Sequence, residues 1–115
     1  MSDCLFCRIV AGEIPAKIVR RSADAVAFSD INPQAPVHVL VIPTAHIPAV
    51  RAAGGPDGER LLARTLTFAA EVARELGLDG GGYRIVTNTG PDAGQSVDHL
   101  HFHVLGGRKL TWPPG

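Results

Sequence analysis

Three of the five histidines in this chain stand at every second position, His99, His101 and His103, within the stretch QSVDHLHFHVLGG. Side chains of a β-strand alternate between its two faces, so a strand here places three imidazoles on one side, about 6.6 Å apart along the chain. The apolar side chains between them then face a core: Leu100, Phe102 and Val104. The pattern predicts a strand with one apolar face and one imidazole face.

Three interpretations of this histidine row are open. It could be a solvated face, but three of five histidines in register are hard to attribute to chance. It could be a zinc site, in which two imidazoles at positions i and i+2 bind one ion and another element supplies a further ligand. It could also serve nucleophilic catalysis, because an imidazole with a pKa of about 6.5 is partly neutral at pH 7 and can attack phosphorus or carbon.

The loop before the row favours catalysis at a phosphate. The segment NTGPDAGQS contains turn-forming residues and several hydrogen-bond donors, which are Gly90, Pro91 and Gly94 and then Asn88, Gln95 and Ser96. Glycine lets backbone N–H groups approach an anion closely, and amide or hydroxyl side chains can complete the cradle. Beside a histidine row, this loop predicts a phosphate site next to a nucleophile.

The elements that position these residues follow from glycine, proline and apolar spacing. CLFCRIVAGE predicts a short helix with Leu5, Ile9 and Phe6 inward, ending at Gly12. AKIVRR, AVAFSD, HVLVIP, YRIVTN and HLHFHVL predict five strands, and the dense apolar run HVLVIP is expected to be buried on both faces.

One long amphipathic helix is expected between the third and fourth strands. Asp57 is a plausible N-cap and Gly77 ends the helix. Its apolar side is predicted from residues at helical spacing, namely Leu62, Leu66, Ala69, Ala73 and Leu76. The order β-β-β-α-β-β behind a short N-terminal helix predicts an α+β fold built on an antiparallel five-stranded sheet.

Length and charge narrow the class of protein. At 115 residues the chain is expected to form a single domain over 1–115. Eleven basic residues balance eleven acidic ones, and no run of Lys or Arg favours nucleic acid or a membrane surface as partner. No apolar run reaches the roughly 20 residues of a membrane helix, and the polar start predicts no signal peptide. With only Cys4 and Cys7, the chain is expected to be cytoplasmic.

The histidine row and several further motifs resemble the histidine triad family of nucleotide hydrolases and transferases. HLHFHVL fits its alternating histidine signature, and the likeness extends through EIPAKIV, DINPQAPVHVLVIP, GYRIVTNTG and GQSV over nearly the whole chain. The terminal WPPG is similar to the Hint branch, the nucleoside phosphoramidases. The third histidine, His103, argues against the nucleotidyltransferase branch, which resembles this pattern but carries Gln there.

The resemblance implies a covalent mechanism and assigns residues to it. His101 attacks the α-phosphorus of a purine nucleoside monophosphate derivative, and water hydrolyses the nucleotidyl-histidine intermediate. His103 and Ser96 bind the phosphate or assist the leaving amine, and His38 supports the triad from a neighbouring strand. Nucleotide contacts are further expected from the loop, the base pocket and a ribose-binding carboxylate, which are Asn88, Gly94 and Gln95; Leu5, Phe6, Ile9, Phe28 and Ile31; and Asp30.

The cysteines predict a structural metal site. Two thiolates at C-x-x-C spacing are half of a tetrahedral zinc site, and two histidines would complete it. The resemblance to some bacterial relatives implies the ligands Cys4, Cys7, His46 and His99 for a zinc ion; the alternative is a pair of small buried thiols.

Two other functions are weighed against the phosphoramidase. A nucleotide-binding interaction protein with little catalysis needs only the pocket, and a zinc-dependent hydrolase would use the triad histidines as metal ligands. A homodimer is expected, because a 12.1 kDa chain has little core of its own. The resemblance places the long helix and the tail with Trp112 at its interface.

Overall fold

A five-stranded antiparallel sheet forms the centre of the protein in a computed structural model that describes residues 3–115. The strand order is β1-β2-β3-β5-β4, which confirms the predicted α+β fold. The elements in chain order are α1 Leu5–Val10, β1 Ile18–Arg21, β2 Ala25–Ser29, β3 Val37–Pro43, a 3₁₀ turn Val50–Ala52, α2 Gly55–Glu75, β4 Tyr83–Val86 and β5 Phe102–Gly106.

The sheet is covered on both faces in its central part. On β3, Val39 and Val41 face the α2 side, whereas Leu40 and Ile42 face the α1 side. The α1 side buries Phe6 and Ile9 of the short helix against the sheet. Since every side chain of Val39–Pro43 is buried, the prediction of a strand buried on both faces is confirmed.

The long helix has a different N-cap from the one expected but stops at the predicted glycine. Gly54 is its N-cap, and Asp57 lies in the first turn, so the prediction of Asp57 as the cap is wrong. Proline at the start of α2 suits a position whose N–H has no helical partner. Gly77 adopts φ +77° and its N–H donates to the Arg74 carbonyl, which confirms the predicted stop.

The predicted apolar side of α2 packs against the core except at Leu66, since Ala69 and Ala73 are buried and Leu62 and Leu76 are partly buried. Thr65, Phe68, Ala69, Val72 and Ala73 are its buried residues, and Leu66 is 45% exposed. Thr65 is tolerated inside because its hydroxyl donates to the Leu61 carbonyl at 2.7 Å. The inward placement of Leu66 is therefore wrong, whereas Ala69 and Ala73 are confirmed.

Two further expectations need correction near the site. Leu5 was expected inward, but its side chain is 47% exposed while Phe6 and Ile9 are buried. The last strand begins at Phe102 rather than at His99, because the Leu100 N–H donates to the Ile47 carbonyl of a loop instead of to a neighbouring strand.

No helix within residues 3–115 has the length and apolar character required to cross a bilayer.

Candidate functional site

The histidine row keeps its predicted alternation although only its last member lies in a strand. Leu100, Phe102 and Val104 enter the core beneath α2. The Phe6 ring on the opposite side contacts the rings of both His99 and His101, with centroids 5.9 and 5.1 Å apart. The imidazoles therefore share the α1 side of the sheet, as the period of two predicts.

His101 has a defined tautomer. Its Nδ1 lies 2.7 Å from the His99 carbonyl oxygen, which can only accept, so Nδ1 carries the hydrogen. In the neutral ring Nε2 then holds a lone pair. Within residues 3–115, the only buried side-chain nitrogen or oxygen that lacks a hydrogen bond is Arg8 Nε. Because Nε2 of His101 has no hydrogen bond either, it must reach solvent, although the residue is only 3% exposed.

The surroundings of His101 hold the ring and its backbone in place. The Phe6 ring meets the imidazole edge-on at an interplanar angle of 87°. The Thr87 hydroxyl, just beyond the end of β4, donates to the His101 carbonyl at 2.9 Å. A single nitrogen is thereby presented to the exterior from a buried ring, which is the arrangement a nucleophile requires.

His38 and His103 form a chain of directed hydrogen bonds beside His101. The Gln34 backbone N–H donates to His38 Nδ1 at 3.0 Å, so the hydrogen of the neutral His38 ring lies on Nε2. His38 Nε2 is 2.9 Å from His103 Nδ1 and donates to it. The hydrogen of the neutral His103 ring therefore lies on Nε2, and His103 has one N–H to offer to a ligand.

Burial keeps this chain neutral. The pKa of His103 is lowered to about 4, chiefly by desolvation and also by the neighbouring imidazoles of His101 and His38, against the opposing effect of Asp30. Burial also lowers the pKa of His38, again opposed by Asp30. Both rings are therefore neutral hydrogen-bonding groups at neutral pH rather than fixed positive charges.

Asp30 stands directly beside this chain. Its Oδ2 lies 3.3 Å from His38 Nε2, and its Oδ1 accepts the Asn32 backbone N–H at 2.8 Å. The carboxylate thus occupies a defined orientation at the end of β2, where the prediction places a ribose contact.

Four ligand atoms converge in a second cluster, which we name the Cys/His cluster: Cys4, Cys7, His46 and His99. Its sulfur-to-Nδ1 distances are 3.4 Å for Cys4–His99, 3.3 Å for Cys7–His46 and 3.5 Å for Cys7–His99. The two Nδ1 atoms are 3.2 Å apart. Zinc bond lengths of about 2.3 Å to sulfur and 2.0–2.1 Å to nitrogen in a tetrahedron require separations of about 3.5 and 3.4 Å.

The distances within the Cys/His cluster suit a metal ion, and so do its donor atoms. His99 Nε2 lies 3.0 Å from the Pro43 carbonyl and therefore carries the hydrogen, so that Nδ1 is a bare donor atom directed at the cluster. Burial lowers the pKa of His99, which keeps the ring neutral for ligation. The four predicted ligands are thus brought together and could hold a metal ion.

A second set of possible metal ligands consists of one carboxylate and two imidazoles, those of Asp30, His38 and His103. Its hydrogen bonds make it a poor metal site. A metal at His38 Nε2 would need a lone pair there, but the Gln34 N–H occupies Nδ1 and leaves the hydrogen on Nε2. Within residues 3–115, His99 and His103 belong to different groups and His101 belongs to neither. One metal held by all three triad histidines therefore does not match this arrangement.

The predicted phosphate loop is fixed by Gln95. The Gln95 amide accepts from the Gly90 N–H at 2.9 Å and donates to the carbonyls of Pro48 and Val97 at 2.7 and 3.0 Å. Its amide therefore holds the loop in shape, which leaves the predicted nucleotide contact of Gln95 untested. Gly94 adopts φ +80°, a conformation that glycine provides.

The other residues predicted to contact the phosphate or the base differ in how exposed they are. Asn88, His38 and His103 line one cavity of about 360 Å³. Ser96 is exposed on the loop. Of the predicted base contacts, Phe6, Ile9 and Phe28 are buried, and the Phe6 and Phe28 rings meet with centroids 5.5 Å apart. Leu5 is half exposed and Ile31 fully exposed, so both are accessible to a ligand.

Several positioning groups escaped the sequence prediction. Two are backbone groups, the Gln34 N–H and the Pro43 carbonyl, which cannot be predicted from the residue type. The third is the Thr87 hydroxyl. Its place at the end of the strand that pairs with β5 is a signal that could have been used, because Val86 pairs with His103.

Comparison with known proteins decides the family. The family model of the HIT domain matches residues 11–110. The chain belongs to the HIT family. An uncharacterized HIT-like protein of Synechocystis sp. is 50% identical over 113 residues, which cover 98% of this chain and 97% of that protein.

Solved HIT structures share the fold over nearly the full length. A HIT family hydrolase from Legionella pneumophila is 48% identical with a TM-score of 0.94, over 98% of this chain and 100% of that one. A histidine triad nucleotide-binding protein from Candida albicans is 32% identical with a TM-score of 0.82, over 96% and 83% of the two chains. The predicted resemblance to the family is thereby confirmed.

Proposed function

We propose that this HIT protein is a nucleotide hydrolase, and specifically a purine nucleoside phosphoramidase that acts through a covalent nucleotidyl-His101 intermediate. The observation that carries the proposal is the fixed tautomer of His101, whose Nδ1–H bond to the His99 carbonyl leaves the lone pair on a solvent-accessible Nε2. Relatives named as a hydrolase and as a nucleotide-binding protein support the reaction class and the ligand.

In the first step, the Nε2 lone pair of His101 forms a bond to the α-phosphorus of a nucleoside phosphoramidate. The phosphorus–nitrogen bond of the substrate breaks, and the amine keeps its electron pair and takes up a proton. The proton comes from solvent, through water or through the Ser96 hydroxyl, which passes on its own proton and takes one from water, because Ser96 is exposed on the adjoining loop. The Nε2–H of neutral His103 would donate to a phosphoryl oxygen.

In the second step, water attacks the same phosphorus and releases a nucleoside monophosphate. The bond to Nε2 breaks, its electron pair returns to the ring, and the surplus proton of water passes to solvent. Between the two steps the imidazole carries positive charge. The short Nδ1–H bond to the His99 carbonyl would stabilise this charge in both transition states.

A purine nucleoside is the proposed substrate because an apolar wall and a carboxylate flank the nucleophile. Phe6 contacts the His101 ring and packs against Phe28, but both phenylalanines are buried, so the exposed apolar surface is that of Leu5 on α1 and of Ile31 next to Asp30. A base can stack on the apolar surface while the carboxylate accepts from ribose hydroxyls. These groups offer no polar contact that separates adenine from guanine, so both purines are expected substrates.

For the Cys/His cluster we propose a structural zinc ion held by Cys4, Cys7, His46 and His99. When bound, the ion would supply cross-links between α1 and the approach to β5 and would take no part in the chemical steps. Cys4 is also the N-cap of α1, where its sulfur accepts the Cys7 N–H, so the thiols and Phe6 belong to one short helix.

A homodimer is proposed from the surface. β4 ends the sheet with an open edge, Trp112 is 80% exposed, and Leu66 projects from α2. Pairing that uses these features would cover apolar area that a chain of 12.1 kDa leaves in water. Light scattering should give twice the chain mass; a monomer at micromolar concentration would contradict the dimer.

Trapping the intermediate tests the proposed activity. Protein mixed with an adenosine phosphoramidate labelled at phosphorus and quenched within milliseconds in alkaline denaturant should carry label on the peptide that contains His101. His101→Ala should lower kcat by about a thousandfold or more and carry no label, while it still binds adenosine monophosphate.

His103→Ala is the matched control for the trapping experiment. It removes a neighbouring imidazole but retains the His101 nucleophile, so it should still form labelled protein at a reduced rate. Turnover by wild type without any labelled protein would contradict the covalent route. Nucleotide binding without turnover would instead favour an interaction protein with little catalysis.

A further inference from the structure

The Asp30 carboxylate is held in one orientation against His38. Its Oδ1 accepts the Asn32 N–H at 2.8 Å, and its own backbone N–H donates to the His38 carbonyl at 3.0 Å. With these two contacts in place, Oδ2 lies 3.3 Å from His38 Nε2. The carboxylate therefore has one oxygen committed to the backbone and the other directed at the imidazole.

The hydrogen on His38 Nε2 has one acceptor, His103 Nδ1, and one carboxylate oxygen close by, Asp30 Oδ2. Because Gln34 N–H occupies Nδ1, the neutral ring has only this hydrogen to give. His103 Nδ1 accepts this hydrogen at 2.9 Å, whereas Asp30 Oδ2 lies 3.3 Å from the same nitrogen without forming a hydrogen bond to it. A charged carboxylate at this distance attracts the N–H and is a strong acceptor once the hydrogen turns toward it. The strength of the bond to His103 therefore depends on how strongly Asp30 competes for the same hydrogen.

We propose that Asp30 is a positioning residue that transmits ribose recognition to the phosphoryl site through His38. This inference rests on the proposed function. A ribose hydroxyl that donates to Asp30 Oδ2 uses acceptor capacity of the carboxylate, so the His38 N–H is left to His103 Nδ1. The His103 ring is then fixed with its Nε2–H available to the phosphoryl oxygen. No proton is transferred between the groups.

The consequence is a selection for ribonucleotides that acts on turnover and not only on binding. A hydroxyl that merely contributed uniform binding would change KM and leave kcat unchanged. A hydroxyl that also orders His103 must change kcat. We therefore expect wild-type protein to hydrolyse adenosine phosphoramidate with a kcat about tenfold above that of the 2′,3′-dideoxy analogue, the effect of one ordinary hydrogen bond in the transition state.

Asp30→Asn separates positioning from binding. The amide oxygen can still accept the Asn32 N–H, but the amino group that then faces His38 is a donor and cannot compete for its hydrogen. His38 is committed to His103 with either substrate. The kcat ratio of ribose to dideoxy substrate should fall from about ten to about one, and the variant should turn over the dideoxy substrate faster than wild type does.

Asp57→Asn is the matched control, because this exposed carboxylate lies in the first turn of α2 and contacts only Arg60 among the ion pairs. It should keep the wild-type kcat ratio. A wild-type ratio of one, with only KM changed, would overturn the inference. A tenfold ratio retained in Asp30→Asn would overturn it as well.

A spectroscopic measurement covers the case in which Asp30→Asn fails to fold. In ¹⁵N-histidine-labelled His101→Ala protein, adenosine monophosphate should shift the His103 Nδ1 resonance in the direction of a stronger accepted hydrogen bond. Its 2′,3′-dideoxy analogue should leave that resonance unshifted at saturation, and equal shifts would contradict the coupling. If wild type hydrolyses neither substrate, the proposed function fails and this measurement alone decides the inference.

Discussion

The Cys/His cluster and the His38–His103 chain both contain histidines whose pKa is lowered by burial, yet their nitrogens are directed in opposite ways. In the cluster, the outer nitrogen of His99 donates to the Pro43 carbonyl and the inner one turns its lone pair toward two sulfurs and His46. In the chain, each ring accepts on Nδ1 and donates from Nε2, beginning at the Gln34 N–H. Converging lone pairs suit a cation, whereas a directed series of N–H groups suits an anion.

His101 lies between the two regions and uses the pattern of neither. Its Nδ1 donates to the carbonyl of His99, a residue of the Cys/His cluster, and its ring meets that of His103 with centroids 5.2 Å apart. The backbone atom that fixes the nucleophile thus belongs to the metal-type cluster, while the donor for the phosphoryl group belongs to the chain. The chemical difference between neighbouring histidines comes from which backbone atom each one contacts.

The largest expected effect is a loss of stability when the Cys/His cluster, but not the His38–His103 chain, loses a side chain that would bind the metal. Cys7→Ala removes one ligand of the Cys/His cluster, and we expect it to reduce bound zinc from about one per chain to near zero. The free energy of unfolding should fall by several kcal/mol, because the metal no longer joins α1 to the sheet. Elemental analysis and urea denaturation, each with and without chelator, measure both quantities.

His38→Ala is the comparison for Cys7→Ala. It breaks the hydrogen-bond chain but leaves all four ligands, so it should retain zinc and its sensitivity to chelator. If the untagged wild-type protein contains no metal and its unfolding is unaffected by chelator, the cluster does not act as a metal site. The contrast between the regions would then be one of hydrogen bonding alone.

A smaller effect is expected in the pH dependence of the free energy of unfolding, to which His103 of the His38–His103 chain contributes. The pKa of His103 is lowered to about 4 in the folded protein, chiefly by burial, against about 6.5 in the unfolded chain. Between these values the unfolded chain binds a proton that the folded protein does not, so the free energy of unfolding decreases as pH falls from 6.5 toward 4. His103→Gln cannot titrate and should show a shallower decrease over the same range.

The measurement is urea denaturation of wild type and His103→Gln at matched pH values. The slope will not vanish in the variant, because burial also lowers the pKa of His38 and His99. Metal ligands are the same in both proteins, so the difference between the two slopes reports on His103. Equal slopes would mean that the folded protein leaves His103 with its ordinary pKa.

The alternation of apolar and imidazole side chains was enough to predict the most informative part of the site. It placed Leu100, Phe102 and Val104 in the core and the three imidazoles together, even though the strand itself starts at Phe102. Pattern succeeded here because the two faces differ so strongly in chemistry. On α2 the contrast is weaker, and a threonine that satisfies its own hydroxyl took an inward position while Leu66 stayed outside.

The roles within the histidine group could not be predicted from residue types. His99 and His101 are chemically identical in the sequence, and only the Pro43 carbonyl and the His99 carbonyl give them different tautomers. Gln95 could be expected to bind phosphate as a donor, but its amide is used by the loop itself. Backbone groups brought together by folding set these roles, and a sequence pattern does not reveal their positions.

The smallest expected effect concerns the Thr87 hydroxyl, which donates to the His101 carbonyl from just beyond the end of β4. Thr87→Val keeps the shape of the side chain and removes the donor, so the free energy of unfolding should fall by about 1 kcal/mol. Because the Nδ1–H bond of His101 is retained, kcat should fall less than tenfold. Thr67→Val, at an exposed position of α2, is the control and should change neither quantity measurably. A loss of activity in Thr87→Val as large as in His101→Ala would show that the nucleophile depends on the position of its backbone and not only on its tautomer.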